Sequence, residues 1–315
     1  MLYYLSQVMK PIQIAVIGVG HLGTVHARVY SELHSAQLVA ACDLLPDRAE
    51  SVARQYGCQA VTDFRRLPTQ VEAVSIAVPT HEHFKIAKAF LARGVHVLVE
   101  KPITRTVQEA DRLLKLAHQT GAILQVGHVE RFNAVLQKVQ ASLSDPRFIE
   151  VHRLAPFQPR GTEVGVVLDL MIHDIDILLG LIKSPIRRID AVGVKVLTPF
   201  EDIANARITF QNGAVANLTA SRISKEAMRK FRIFQTDTYV SMDFLGQAVD
   251  IFRHQNGLIS HEKLAISGEE PLKAELAAFL EAIRHQCPPP VSGQEAREAL
   301  AVALKVTHLI HKNHP

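Results

Sequence analysis

The chain has 315 residues, of which 48% are hydrophobic and 21% charged, so it is long enough for two domains with a sizeable core. The net charge is +4, and the basic and acidic residues are interleaved along the chain, which argues against a nucleic-acid-binding arm. Three scattered cysteines argue against a disulfide framework or a CxxC metal site, and no apolar run approaches the ~20 residues of a membrane span.

The first ten residues, Met1 to Lys10, lack a basic region followed by a long apolar core, so we interpret them as a frayed leader rather than a signal peptide. The sparse, unpaired cysteines are typical of a reducing compartment, which predicts a cytoplasmic protein.

A strand-like run over 12–17 leads directly into the sequence GVGHLG and then into a helical pattern from Thr24. In this GxGxxG context the first glycine permits a tight turn, the second lets the backbone approach a pyrophosphate, and the third lets the helix pack on the strand. The helix N-terminus then offers N–H groups and a positive dipole to the phosphates. The predicted cofactor-binding residues here are Gly18, Gly20, His21, Leu22 and Gly23.

A second strand, Gln37 to Cys42, ends in Asp43, twenty positions after Gly23. An acid at this place accepts hydrogen bonds from the ribose hydroxyls and repels a 2′-phosphate, which favours NAD over NADP. The alternative interpretation of Asp43 is a helix N-cap before Pro46.

Helical patterns at 47–56, 82–93 and 107–119 alternate with strand patterns at 59–61, 71–78, 96–100 and 122–126. This alternation predicts a doubly wound parallel sheet, that is, a Rossmann domain over residues 1–128.

Two of these strands end in polar residues at the edge where such sheets bind ligands. The first ends in PTHEH and the second in EKP, so we expect Pro79, Thr80, His83, Glu100 and Lys101 near the cofactor. Lys101 is the first candidate for chemistry, although a surface lysine paired with Glu100 would give the same pattern. A proline at this strand end also predicts a cis Lys101–Pro102 bond.

Beyond Gly127 a helix is predicted over 129–143, followed by strand patterns at 148–153, 186–197, 205–210, 214–221, 231–236, 239–243 and 249–252. The sequence QNGA at 211–214 is a strong hairpin signal, so the second domain, 129–315, is predicted to be α+β with an open, largely antiparallel sheet. A helix at 163–182 interrupts the strands, and two closing helices, 271–285 and 294–312, are available to pack back on the first domain.

The helix at 163–182 contains LDLMIHDID, which places Asp169 and His173 at i and i+4 on one face. A carboxylate beside an imidazole fixes its tautomer and raises its basicity, as a general base requires. A metal cluster is the alternative, but a fourth ligand with suitable spacing is missing, so we predict no metal. The flanking residues are apolar almost all round, which predicts a buried helix.

The motifs GVGHLG, ACD, PTHEH, VEKP, VGHVERFN and LDLMIHDID, in this order, resemble the glucose–fructose oxidoreductase/inositol dehydrogenase (Gfo/Idh/MocA) family over nearly the whole chain. The resemblance implies an NAD-dependent oxidoreductase whose catalytic residues are Lys101, Asp169 and His173. It also implies that His83 lies near the nicotinamide, although a histidine at a helix start explains this residue equally well.

Within the family, GHVERFN combined with LDLMIHDID resembles the bacterial enzymes that oxidise the 3-hydroxyl of UDP-N-acetylglucosamine to a ketone. An aminotransferase then installs an amine for variants of lipid A. This resemblance implies diphosphate and sugar contacts from Arg131, Asn133, Arg153, Arg160 and Arg222, each of which alone would read as an ordinary surface residue. Relatives commonly have proline where Ala134 follows Asn133, which leaves the local turn open.

Three alternatives remain: a dehydrogenase of a free sugar or inositol, a reductase of a non-sugar such as a tetrapyrrole, and a non-catalytic dinucleotide-binding regulator. The presence of Lys101, Asp169 and His173 argues against the regulator. The family also implies a homodimer or homotetramer formed through the outer face of the second sheet. The strand residues considered for this face are Val192, Val194, Ile208, Phe210 and Val215.

Overall fold

The computed structural model describes residues 10–159 and 161–313, which form two compact units. The first unit contains the chain up to Gly127 together with Leu272–Gln294, and the second contains His128–Pro271 and the residues from Glu295 onward. The predicted leader lies almost wholly outside the described residues. Within the described ranges, every helix is too short or too polar to cross a bilayer. The division of function at residue 128, into an NAD-binding and a substrate domain, stays a prediction.

The first unit is built on six parallel strands in the order β3-β2-β1-β4-β5-β6. The strands are β1 (Ile12–Ile17), β2 (Ala36–Cys42), β3 (Gln59–Val61), β4 (Ala73–Ile76), β5 (His96–Glu100) and β6 (Leu124–Gly127). The helices between them are α1 (His21–Glu32), α2 (Pro46–Tyr56), α3 (Thr80–Leu91) and α4 (Val107–Thr120). The predicted Rossmann sheet is confirmed. Its order reverses between β1 and β4, where ligands of such sheets bind.

The sequence explains the local order of this unit. The four residues of β4 and the last four of β5 are buried on both sides, as parallel strands covered by helices require. The helix α4 begins where Thr106 accepts a hydrogen bond from the Glu109 N–H, and it ends at Gly121, whose φ is 70°.

The second unit contains eight strands in the order β14-β13-β12-β11-β7-β10-β9-β8. The strands are β7 (Phe148–Leu154), β8 (Ile186–Val194), β9 (Ile203–Phe210), β10 (Val215–Ser221), β11 (Met228–Gln235), β12 (Thr238–Asp243), β13 (Ala248–Gln255) and β14 (Leu258–Ala265). The strands β7 and β10 run parallel and the other neighbours are antiparallel, so the predicted largely antiparallel sheet is confirmed. The QNGA hairpin joins β9 to β10.

The remaining helices are α5 (Ala134–Val139), α6 (Ile172–Leu181), α7 (Pro271–His285) and α8 (Gly293–Asn313). The second unit's core includes the apolar residues of α6, as the sequence predicts for a helix that is apolar almost all round. Most of α7 belongs to the first unit, where Gln125 donates a hydrogen bond from Nε2 to the Glu275 carbonyl oxygen at 3.1 Å. Most of α8 belongs to the second unit.

Three predictions about the second unit are wrong. The helix predicted over 129–143 is broken into a 3₁₀ turn, α5 and a second 3₁₀ turn, because Asn133 adopts an extended conformation. The helix predicted from Glu163 begins only at Val167, and its first turn, Val167–Met171, is π-helical. The strand β14 was not predicted, because its sequence LISHEKLA is exposed at nearly every position and lacks a buried alternation.

Candidate active site

The glycine-rich loop fits a dinucleotide pyrophosphate. At Gly18, whose φ is +84°, a Cβ would lie 2.7 Å from the Ala77 carbonyl oxygen, and at Gly23 it would overlap the carbonyl oxygen of Gly18. At Gly20 the space is open, since the nearest atom to an added Cβ is Arg48 Nη1 at 3.8 Å. Gly20 is also the N-cap of α1 and has no side chain to cap it, so the first-turn N–H groups are available to phosphate oxygens.

Asp43 lies beside this loop, at the end of β2. One carboxylate oxygen accepts the Val19 N–H at 3.0 Å and the other accepts the Leu45 N–H at 3.0 Å. Each oxygen keeps a second lone pair, so the carboxylate can also accept ribose hydroxyls. The loop and Asp43 therefore fit NAD, and they are held in place by the backbone rather than by a cap on α2.

The other predicted cofactor residues of this unit lie at the starts of helices. His21 and Leu22 are exposed in the first turn of α1, after β1. Pro79 is exposed and Thr80 is half-buried where α3 begins, after β4. Because β1 and β4 are neighbouring parallel strands, these residues follow the same sheet edge.

His83 is buried under the turn that carries Lys101. Its Nδ1 lies 2.9 Å from the Pro102 carbonyl oxygen, and its Nε2 lies 2.8 Å from the Val78 carbonyl oxygen. Burial lowers the pKa of this imidazole, despite the two carbonyl partners. The ring therefore ties the end of β5 to the end of β4. The Lys101–Pro102 bond is cis, as predicted.

Glu100 is buried and Lys101 is half-buried, so the interpretation of the pair as surface residues is wrong. One carboxylate oxygen of Glu100 lies 3.1 Å from Nε2 of His26, and the other accepts the Lys101 N–H at 3.2 Å. His26 is wholly buried and also contacts Ser75 Oγ at 2.7 Å. The sequence reasoning missed His26, although a histidine on the buried face of α1 was a detectable signal.

In the second unit, Asp169 lies in the π-helical turn and His173 lies in the first turn of α6. Both are half-buried, whereas Asp174 and Asp176 beside them are 2% and 1% exposed. The ring of His128 meets that of His173 edge to face, with 5.8 Å between centroids. The half-buried pair is thus open to a ligand, and its mutual contact stays a prediction.

Two arginines hold the acidic residues of α6. Arg131 donates from Nε and Nη2 to the Asp176 carboxylate at 2.6 and 3.0 Å. Arg153 is only 5% exposed, and it donates to Asp174 at 2.7 Å and to Glu130 at 2.8 Å. Arg153 is therefore not a surface residue, and both guanidinium groups are engaged inside the unit.

The remaining predicted substrate residues have different surroundings. Asn133 is 5% exposed and accepts the Val135 N–H at 3.1 Å, which caps α5. Arg222 is also 5% exposed; its Nη2 donates to the Val164 carbonyl oxygen at 2.7 Å and lies 3.8 Å from Asp169 Oδ2. Arg160 lies outside the described residues.

Residues 12–128 match the oxidoreductase family with an NAD-binding Rossmann fold, and residues 136–241 match the GFO/IDH/MocA C-terminal domain. A UDP-N-acetylglucosamine 3-dehydrogenase of Acidithiobacillus ferrooxidans is 40% identical over 298 residues, which cover 92% of this chain and 95% of that enzyme. A scyllo-inositol 2-dehydrogenase (NAD(+)) of Bacillus subtilis is 26% identical, covering 96% of this chain and 95% of that enzyme.

The solved structure of the UDP-N-acetylglucosamine 3-dehydrogenase from Acidithiobacillus ferrooxidans has a TM-score of 0.92 at 39% identity, covering 96% of this chain and 99% of that one. A levoglucosan dehydrogenase in complex with NADH and levoglucosan shares the fold, with a TM-score of 0.85 at 18% identity, covering 96% and 98%. The chain therefore belongs to the Gfo/Idh/MocA family of oxidoreductases, and its cofactor is NAD.

Proposed function

We propose that this protein oxidises the 3-hydroxyl of UDP-N-acetylglucosamine to a ketone. The observation that carries this proposal is the 40% identity, over 92% of the chain, to an enzyme named for that reaction. Lys101, Asp169 and His173 occupy the positions that the family motifs assign to catalysis.

NAD supplies, when bound, the acceptor for the hydride that leaves the alcohol carbon. We assign to the Lys101 ammonium a hydrogen bond to the reacting hydroxyl, which stabilises the negative charge that develops on its oxygen. A ring nitrogen of His173 takes the hydroxyl proton, and Asp169 holds the imidazole in the required tautomer. The half-buried position of each of these three side chains supports the assignment, because it allows contact with substrate while limiting water.

For the cofactor we propose contacts from both strand ends and the glycine loop. The open backbone at Gly20 and the fixed carboxylate of Asp43 support this assignment. The proposed residues are Gly18, Gly20, His21, Leu22, Gly23, Asp43, Pro79, Thr80, Glu100 and Lys101. His83 we assign to support of the Lys101 turn, since both ring nitrogens face backbone carbonyl oxygens.

For the substrate we keep Arg160 and Arg222 as proposed contacts of the diphosphate, because an arginine fork suits phosphate oxygens. Arg131 and Asn133 we assign to support of α6 and α5, because their polar atoms are engaged with Asp176 and with the backbone.

The test is an absorbance assay for reduced nicotinamide with NAD and a panel of UDP-sugars and polyols. An aminotransferase with glutamate is added to remove the ketone, whose formation is unfavourable. We expect UDP-N-acetylglucosamine to give the highest kcat/KM, and the absence of turnover with every UDP-sugar would overturn the proposal.

A polyol dehydrogenase is the second candidate, since an inositol dehydrogenase aligns over 96% of the chain. A polyol enzyme has no need of a diphosphate site, so UDP would compete with a UDP-sugar substrate but not with inositol. Turnover of inositol that UDP leaves unaffected would favour this second candidate. A chain that binds NAD but turns over none of these compounds would be a regulator.

We propose further that the protein forms a homodimer or homotetramer through the outer face of the second sheet. Val192 and Val194 are 45% and 52% exposed there, whereas Ile208 and Phe210 belong to the core. A row of stacked rings also crosses five strands; it consists of Phe148, Phe234, Tyr239, Phe252 and His261. Light scattering should give a multiple of the chain mass that Tyr239→Glu reduces, and a monomeric wild type would contradict this.

The product class indicates the protein's surroundings. A 3-keto sugar nucleotide is a substrate for an aminotransferase, so we propose that such an enzyme consumes it, as in the formation of lipid A variants. Its nucleotide substrate, its cofactor and the unpaired cysteines favour a cytoplasmic location. Fractionation of cells that produce the tagged protein tests the location.

A further inference from the structure

A buried polar network joins the first helix of the chain to the strand end that carries Lys101. His26, in the middle of α1, is 0% exposed. Its Nδ1 lies 2.7 Å from Oγ of Ser75 on β4, and its Nε2 lies 3.1 Å from Oε1 of Glu100 on β5. One imidazole therefore connects three elements of the sheet and its covering helix.

The direction of these hydrogen bonds follows from the charge on Glu100. Burial alone would raise the pKa of this carboxyl, but the hydrogen bond and charge of His26, together with the charge of Lys101, outweigh it, so the pKa is lowered. An ionised carboxylate only accepts hydrogen bonds, so Nε2 of His26 donates to Glu100. Its Nδ1 is then the acceptor for the Ser75 hydroxyl in the neutral ring.

The same carboxylate holds the backbone of Lys101. Its second oxygen accepts the Lys101 N–H at 3.2 Å. Its other side is closed by Gly127 on β6, where an added Cβ would lie only 2.8 Å from Oε1. Glu100 thus has little freedom, and the position of its carboxylate is set by His26 on one side and by β6 on the other.

We propose that His26 is a positioning residue for Lys101 and acts through Glu100. The inference rests on the proposed role of Lys101 in the dehydrogenation. It assigns a part in the reaction to α1 beyond its use at the glycine loop, because the helix that begins at the loop also fixes the lysine turn. If packing were its only task, an apolar residue would fill this buried place at a lower desolvation cost.

Two isosteric variants separate the two ring nitrogens. In His26→Gln, the side-chain amide reaches the place of Nε2 and keeps a donor for Glu100. In His26→Asn, the shorter amide occupies the place of Nδ1 and keeps only the contact with Ser75. We expect His26→Asn to lower kcat about 10- to 100-fold, as a displaced catalytic group does. His26→Gln should stay close to wild type, and both should bind NAD as wild type does.

A second readout does not depend on activity. The Lys101 amide proton, bonded to a carboxylate, should shift upfield and exchange faster in His26→Asn in a TROSY NMR experiment, and should be unchanged in His26→Gln. His96→Gln is the matched control, because this half-buried histidine lies at the other end of β5 and its Nδ1 accepts the Ile123 N–H. It should alter neither the Lys101 amide nor kcat.

An unchanged Lys101 amide in His26→Asn would overturn the proposal, and so would equal losses of kcat in the two His26 variants. If His26→Asn does not fold, Ser75→Ala decides the matter, since it removes the hydroxyl that orients the ring. A smaller loss of kcat with a shifted Lys101 amide is expected, and an unchanged amide would overturn the proposal. A shifted amide in a protein that oxidises no sugar would refute the proposed function and leave the His26 contact standing.

Discussion

The imidazole of His83 lies with Nδ1 2.9 Å from the carbonyl oxygen of Pro102, the residue that follows the proposed catalytic lysine. Its Nε2 lies 2.8 Å from the Val78 carbonyl oxygen. A neutral ring can donate to only one of these two acceptors. The histidine of the PTHEH motif therefore stabilises the strand end rather than presenting a free nitrogen to the cofactor.

His83 should make stability depend on pH. Burial lowers its pKa, so the folded protein resists protonation while the unfolded chain takes up a proton near its ordinary pKa of about 6.5. The contribution is complete above that pH and declines as the pH falls below it. We expect His83→Gln to flatten this part of the profile of unfolding free energy against pH, measured by urea denaturation.

The exposed His118 of α4 provides the control, and His118→Gln should leave the profile unchanged. Identical slopes for wild type and His83→Gln below pH 6.5 would contradict the assignment.

Asp43→Asn should weaken NAD binding about 10- to 100-fold, since a hydrogen bond to a charged group contributes roughly 1.5–3 kcal/mol. The physical reason is the loss of the carboxylate that accepts the ribose hydroxyls. Fluorescence titration with NADH measures the effect. The exposed acid Asp47 on α2 is the matched control, and Asp47→Asn should bind NADH as wild type does. Equal affinities for all three proteins would contradict the role of Asp43.

Arg153→Met should destabilise the second unit by about 3–5 kcal/mol, because it leaves the buried carboxylates of Asp174 and Glu130 without their partner. Arg188→Met is the comparison, since it breaks an exposed pair with Asp190 and should cost less than about 1 kcal/mol. Urea denaturation followed by circular dichroism gives both values. A loss no larger for Arg153 than for Arg188 would show that the buried pair does not support α6.

The proton acceptor can be assigned by comparing Lys101→Met with His173→Asn. Each should lower kcat by about 10²- to 10⁴-fold and leave NAD binding intact. If His173 takes the proton, the rise of kcat with pH should persist in Lys101→Met and disappear in His173→Asn. The reverse result would make Lys101 the base, and unimpaired turnover in Lys101→Met would remove it from the mechanism.

The local pattern of the sequence was enough to predict the order of the elements. The glycine motif, the alternation of strands and helices and the Asn212-Gly213 turn each specify structure over a few residues. The cis bond before Pro102 and the buried environment of α6 were also predictable, because one depends on a residue type and the other on hydrophobicity.

The partners of the polar side chains could not be predicted in the same way. His26 and Glu100 are 74 positions apart, and Arg153 and Asp174 are 21 positions apart, so their pairing depends on how the elements pack. Arg153 therefore appeared as an ordinary surface residue. The break at Asn133 was missed because its cap competes with a helical pattern on both sides.

The central claim, oxidation at the sugar 3-carbon with NAD as acceptor, is tested most directly with UDP-N-acetylglucosamine carrying deuterium at C3. The protein is incubated with this substrate, NAD, an aminotransferase and glutamate, and the reduced nicotinamide is analysed by mass spectrometry. We predict that the reduced cofactor carries the deuterium and that turnover is slower than with the unlabelled sugar. Reduced cofactor without deuterium, or no reduced cofactor at all, would contradict the account.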